Sequence, residues 1–162
     1  MIKTEHFACA FLRRNGEWLL MKRSAERSIA PNAWSGVGGH IEANEFCNPQ
    51  AAVLREILEE TGIAATQLER LALRCVVLHR AENVLQHMYF YFAETGAQPS
   101  VQTDEGVLHW VAEEELMRRE FTPIVAAVLR RCAETKPSHL SIGVTGTAIG
   151  ELRVQWSAAE GL

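Results

Sequence analysis

The segment from Asn48 to Gly62, "NPQAAVLREILEETG", constrains the fold more than any other stretch of this chain. Asn48 directly before Pro49 is the preferred pairing of an N-cap with a first helical residue. Gly62 is able to take the left-handed conformation that ends a helix. A helix is therefore predicted from Pro49 to about Thr61. On its wheel, with Glu56 as origin, Glu59 falls about 60° to one side and Glu60 about 40° to the other, with Arg55 about 100° away. Ala51, Leu54, Ile57 and Leu58 are read as the opposite, sheet-facing arc. Like charges three and four residues apart repel, and no lysine occurs between Asn48 and Gly62 to interrupt them. The acids also sit in the C-terminal half, where the helix dipole disfavours negative charge. Something cationic must compensate, and a set of carboxylate oxygens suits a hard divalent ion, Mg²⁺ or Mn²⁺.

The rest of the chain supplies a sheet for that helix to lie on. "HFACAFLRR" and "EWLLMKR" flank Asn15-Gly16, a strong hairpin signal. A Gly- and Asn-rich loop follows, with a short strand expected around "WSGVGG". "RLALRCVVLH" and "VLQHMYFYFAE" read as two strands joined by the polar "RAEN" turn, and "GVLHWVA" as another. Thr122 is expected to cap a second helix opened by Pro123, "TPIVAAVLRRCAE". "HLSIGVTGTAIGELRVQW" reads as a closing hairpin or edge-strand pair, able to meet its own sheet or a neighbour's edge, so a monomer or a homodimer is expected. Strands on both sides of a central helix imply an α/β or α+β layered domain with a mixed sheet. With 162 residues, 48% of them hydrophobic, and no biased segment, one domain over residues 1–162 is expected.

Charge and composition narrow the partners. Sixteen basic against twenty acidic residues leave a net charge of -4, which offers no field for the phosphates of polymeric nucleic acid. No apolar run is long enough to span a membrane, and "MIKTEHFACAFLRR" lacks a cleavage pattern, so a cytoplasmic location is expected. Cys9, Cys47, Cys75 and Cys132 are widely spaced, with no CxxC pair, and read as core or loop thiols in a reducing compartment. His6, His79, His87, His109 and His139 show no ligand spacing and read as strand or surface residues.

Ahead of the helix lies "GVGGHIEANE". Gly36, Gly38 and Gly39 allow the backbone to approach a metal or a phosphate closely. Joined to "REILEETGI", the loop resembles the signature of the Nudix hydrolase family: Gly, five residues, Glu, seven residues, Arg-Glu, an aliphatic, any residue, Glu-Glu, any residue, Gly, an aliphatic. Gly39, Glu45, Arg55, Glu56, Ile57, Glu59, Glu60, Gly62 and Ile63 match it. Nine residues, "FCNPQAAVL", stand between Glu45 and Arg55 instead of seven. The helix starts after this insertion, so its register is untouched, while the reach of Glu45 is left open.

The resemblance implies an α/β/α sandwich and hydrolysis of a nucleoside diphosphate linked to another group. It casts Glu56 and Glu60 as metal ligands, with Glu59 a third ligand or the group that handles water. Arg55, four residues before Glu59, is expected to pair with it and fix its rotamer. By the same resemblance Gly38 offers a backbone carbonyl to the metal, and Glu105 is the best placed later acid. "PNAWSGVGGH" and "QHMYFYFAE" are similar to members that process nucleoside triphosphates, including oxidised purine triphosphates. Gly39, His40 and Trp34 are accordingly candidates for the substrate side, with Tyr89 and Phe90 able to stack on a base although core roles suit that strand better. ADP-ribose, a nucleotide sugar or a dinucleoside polyphosphate are alternative substrates, and a non-catalytic nucleotide sensor is the alternative of another class. A sensor tolerates loss of the carboxylates, so the intact Arg55, Glu56, Glu59 and Glu60 favour turnover.

Overall fold

Strand β1 (Lys3–Arg14) organises the molecule. The computed structural model describes residues 1–146 and 153–158. Asn15 and Gly16 both take positive φ, 49° and 81°, which is the primed two-residue turn that suits strand twist. β1 is thereby folded back on β2 (Glu17–Arg23), with Leu12 opposite Leu19 and Arg14 opposite Glu17. Only the C-terminal end of β1 keeps this partner. Its earlier residues, Phe7 to Ala10, pair instead with β4 (Val37–His40), after the short β3 (Trp34–Ser35) has paired with β2. One edge of β1 is thus shared between two diverging strands, and the glycine-rich loop lies where they part.

On its other edge β1 runs parallel to β6 (Val84–Thr95), which forms a long hairpin with β5 (Leu68–Ala81). β7 (Gly106–Ala112) pairs with β2, and β8 (Ser141–Gly146) runs parallel to β5. The outermost strand is β9 (Gln155–Ala158), antiparallel to β8, which gives the expected edge pair; residues 147–152 of that segment lie outside the described residues. Parallel and antiparallel pairs coexist, so the sheet is mixed, as the alternation of elements predicts.

Helix α1 (Pro49–Thr61) has the predicted ends: Asn48 accepts a hydrogen bond from the Ala51 amide, and Gly62 closes the helix at φ 75°. A short helix α2 (Glu113–Leu116), absent from the sequence reading, precedes α3 (Pro123–Glu134). Thr122 stands at the N-cap position of α3 but its side chain makes no capping bond, contrary to expectation. The two faces of the sheet are covered separately, because alternate strand residues point to opposite sides. Ala8, Ala10 and Leu12 of β1 pack with Ala52, Val53 and Ile57 of α1. Phe11, with Cys75, Val77, Phe90 and Phe92, packs with Ile124, Val128 and Leu129 of α3. Helices on both faces make this an α/β/α sandwich. Arg74 of β5 donates to the carbonyls of Cys132, Thr135 and His139, which fastens the C-terminal end of α3 to β5.

The buried arc of α1 differs from the predicted one. Ala52, Val53, Ile57, Glu60 and Thr61 are buried, whereas Leu58 is 51% exposed and Ala51 and Leu54 are only half-buried. A wheel that turns every acid to solvent misplaces this arc. Glu60 instead lies in the contact between helix and sheet, and the buried arc turns toward it. All four cysteines are free thiols. Among the described residues no helix is long and apolar enough to cross a membrane.

Candidate active site

The C-terminal half of α1 faces the glycine loop across the point where β2 and β4 diverge. Glu60, 6% exposed, accepts a hydrogen bond from the Gly38 amide at 2.8 Å. Gly38 has φ 153°, and a Cβ on it would meet the Ala8 carbonyl oxygen at 2.2 Å, so only glycine fits there. Gly39 is confined by a side chain and not by backbone: a Cβ would stand 2.6 Å from Oε1 of Glu56. The loop thus brings bare backbone against two carboxylates of the helix.

Arg55 holds the third side of this arrangement. Its Nε and Nη2 donate to the two oxygens of Glu45 at 2.8 and 3.0 Å. Nη1 donates to Glu56 at 2.9 Å and to Glu59 at 3.0 Å, and Nη2 also reaches the His40 carbonyl oxygen at 3.1 Å. The pairing with Glu59 is the one expected from the four-residue spacing. The open question of Glu45 is answered as well. Glu45 ends a 3₁₀ turn at Ala43–Glu45, a short loop leads on to Asn48, and Glu45 closes a bidentate pair with Arg55. Such fork-to-fork pairs are the strong form of charge-assisted hydrogen bond. Arg55 holds the Glu45 carboxyl below the usual range.

The acids differ in protonation because they differ in burial. Desolvation pushes Glu60 up to about 8, helped by the negative charges of Glu56 and Glu105 and opposed by the Gly38 amide. Glu56 is also raised, by burial first, against the pull of Arg55. Glu59 points outward, its side chain 57% exposed. Glu105 stands just before β7, held by its carbonyl to the Ser24 amide at 2.9 Å and by its carboxylate to Arg27 at 2.9 Å. It lines the same cleft as Glu56 and Glu60.

The donor set is made of oxygens alone, which fits a hard divalent cation. Among the described residues no three Asp, Glu, His or Cys side chains converge closely enough to cage an ion by themselves. Magnesium does not need such a cage, because it keeps several waters and is held through one or two carboxylates together with substrate phosphates. Glu56 and Glu60 meet that requirement, and a cation beside them offsets the cost of burying their charge, the main cause of both raised values. The pair therefore fits the group.

From the acids the cleft continues as a cavity of about 600 Å³ over the α3 side of the sheet. His40 at its mouth is exposed and packs its ring on Phe7 at 4.3 Å. Trp34 lines the cavity, but its ring is engaged by Arg119 at 5.0 Å, Lys22 at 6.0 Å and His109 at 5.3 Å, which leaves its faces less free than a stacking platform requires. Phe90 is a core residue that also walls the cavity, and Tyr89 packs with the α1-side core. Arg23, Arg27 and His79 line the cavity too. No local motif marks them; only strand pairing and loop packing bring them here.

Comparison with known proteins agrees with this geometry. The model of the NUDIX domain matches residues 3–132. A MutT NUDIX hydrolase from Burkholderia pseudomallei is 30% identical, with 80% of this chain and 98% of that one covered at a TM-score of 0.65. The mMutator MutT protein from Bacillus halodurans is 18% identical and shares the fold over 98% of this chain and 99% of that chain, TM-score 0.75. A C. elegans Ap4A hydrolase binary complex is 18% identical over 82% of this chain and 96% of that one, TM-score 0.62. A domain match over so much of the sequence, joined to a relative of that identity, means that the chain belongs to the Nudix hydrolase family and is a pyrophosphohydrolase.

Proposed function

We propose that the protein hydrolyses a nucleoside triphosphate, with an oxidised purine triphosphate such as 8-oxo-dGTP within its range, to the monophosphate and pyrophosphate, and that it requires Mg²⁺ or Mn²⁺. The observation that carries this reading is the single cleft in which Glu56, Glu60 and Glu105 meet Arg23 and Arg27 beside an apolar cavity. One end has the charge to manage a polyphosphate, and the other has the walls to receive a base. The name of the 30%-identical relative, a MutT NUDIX hydrolase, supports the same class.

In this reading Glu56 and Glu60 hold the cation, with Glu105 and the Gly38 carbonyl completing its protein ligands. When bound, the ion neutralises charge on the phosphates and lowers the pKa of a coordinated water. Arg23 and Arg27 offset the remaining negative charge of the polyphosphate and align it. Glu59, exposed to solvent and paired with Arg55, would orient the attacking water and accept its proton. Arg55 acts through others, because its fork fixes Glu45, Glu56 and Glu59 together. Gly39 leaves room for the Glu56 carboxylate, and His40 borders the phosphate end.

Phosphate and pyrophosphate release from a panel of nucleoside triphosphates, ADP-ribose, a nucleotide sugar and dinucleoside polyphosphates, with Mg²⁺ and with a chelator, tests the assignment. Turnover of a triphosphate that needs the metal, and that falls at least about a hundredfold in Glu60→Gln, is the expected result. Preference for a dinucleoside polyphosphate, the substrate named for the C. elegans neighbour, would move the assignment to that substrate. Turnover unchanged by the chelator would remove the metal from the proposal.

A further inference from the structure

One wall of the cavity contains a histidine with a ring nitrogen that has no hydrogen-bond partner. His79 of β5 is 7% exposed, lines the cavity, and its Nδ1 is buried without a hydrogen-bond partner. Buried polar groups in folded proteins are almost always paired, so an orphan beside a cavity marks a place where a ligand's atoms complete the bonding. Thr145, the β8 partner of His79, likewise has a buried hydroxyl oxygen without a hydrogen-bond partner. Gln86, the strand partner of His79, spends its amide on Glu5 at 3.1 Å, and Met88, Phe90 and Phe7 are apolar.

The opposite wall has donors to offer. The first turn of α3, at Ile124 and Val125, lines the same cavity, and Thr122 does not cap it. The first amides of a helix have no partner within the helix, and they carry the positive end of its dipole. Arg74 anchors the other end of α3 to β5, the strand that carries His79, so the two walls are fixed relative to each other. β5 stands three strands from β4, so His79 lies roughly 14 Å across the sheet from the strand that carries Gly38 and Gly39. That separation suits an extended nucleotide with its phosphates at Glu56 and Glu60.

We propose that His79 reads the edge of the substrate's base, and that together with the uncapped turn of α3 it selects bases that carry a ring carbonyl next to a ring N–H. The inference rests on the nucleotide reading of the cleft and adds which bases that cleft accepts. Burial lowers the pKa of His79, so its imidazole is neutral and presents one donor and one acceptor. Pro123 has no N–H, so the α3 turn presents the Ile124 and Val125 amides as its backbone donors, with the Thr122 hydroxyl beside them. Guanine, hypoxanthine and uracil match this set with a carbonyl toward the helix and an N–H toward the imidazole. Adenine and cytosine put an amino group where the helix already has donors, and they are disfavoured.

Two measurements on the full chain test this. Calorimetric binding of GMP, IMP, UMP, AMP and CMP, without turnover, is compared in the wild type, His79→Leu and His79→Gln; kcat and KM for the corresponding triphosphates are measured with Mg²⁺. The wild type is expected to bind GMP and IMP at least about tenfold more tightly than AMP, a difference typical of one base-reading bond. His79→Leu should erase that preference while leaving AMP affinity unchanged, and His79→Gln should restore part of it. In turnover the effect should fall on KM, with kcat within about twofold. His79→Leu should melt at or above the wild-type temperature, since it removes an unpaired buried atom, whereas a structural histidine would give the opposite shift. Equal binding of all bases by the wild type, or a parallel loss for every base in His79→Leu, would overturn the proposal. Absence of turnover on every triphosphate would instead sink the triphosphate reading, and the monophosphate binding would still decide the role of His79.

Discussion

Replacing Glu60 by glutamine should stabilise the metal-free protein at neutral pH, and the size of the effect follows from the burial of this one carboxyl. Folding raises its pKa from 4.5 to about 8. The folded state therefore holds a proton that the unfolded state gives up, so stability is complete below pH 4.5 and declines as the pH rises toward 8. At pH 7 the unfolded carboxyl has gained 2.5 pH units of ionisation over its 4.5, while the folded one is still largely neutral. At about 1.4 kcal/mol per unit, wild-type Glu60 costs up to about 3 kcal/mol there. Glutamine keeps the shape and its oxygen still accepts the Gly38 amide, but it has no charge to lose. Rotation into the cleft and entry of water relieve part of the strain, so a gain of about 1–3 kcal/mol, or roughly 2–12 °C in Tm, is expected at pH 7. At pH 4 the two proteins should melt together. Thermal and urea denaturation in chelator from pH 4 to 9 makes the comparison. Saturating Mn²⁺ should reverse the order, because the ion stabilises the wild type by binding its folded state and releases the proton as it does so. A difference that is flat across this pH range, or a variant less stable than the wild type at pH 8, would show that Glu60 is not the strained group described.

Two further substitutions probe the frame around the acids. Gly39→Ala places a Cβ 2.6 Å from Oε1 of Glu56, so it should displace that carboxylate and weaken Mn²⁺ binding about tenfold in calorimetry, with the secondary structure retained in circular dichroism. Unchanged affinity would mean that Glu56 is not a ligand. Arg55→Ala leaves Glu45, Glu56 and Glu59 without their shared cation; since Arg55 is partly exposed, a loss of about 1–3 kcal/mol in urea melts and of at least about tenfold in kcat is expected, with Arg55→Lys intermediate because one ammonium does not replace the fork. Equal kcat for the two variants and the wild type would remove Arg55 from the positioning role.

What could be read in advance, and what could not, divides along the range of the interactions involved. Asn15-Gly16, Asn48-Pro49 and Gly62 act within a few residues, and each forms the turn or helix end that its local chemistry dictates. Glu56, Glu59 and Glu60 share a helix with Arg55, so their grouping, too, was visible as angular spacing. The depth of that helix was not, because spacing says which residues share an arc and nothing of which arc is buried; Leu58 lies outside and Glu60 inside. Thr122 fails as a cap for a related reason, since a capping residue type does not by itself aim its hydroxyl.

The cleft beyond the acids depends on still longer range. Arg23 ends β2, Glu105 precedes β7, and these meet only because Arg23 pairs opposite Gly106. His79 reaches the cavity through the pairing of β5 with β6 and of β6 with β1, and it is separated in sequence from Thr122 on the opposite wall by the whole of β6 and β7. Strand register decides such meetings, and register is fixed by the hydrophobic pattern of every strand at once. It follows that the acidic helix can be recognised from a short motif in any chain that carries it, whereas the residues proposed here to choose the base, on β5 and the first turn of α3, must be found in the fold. A family joined by the first and diversified in the second is what this division of labour allows, and His79 is the position at which the two halves can be separated by experiment.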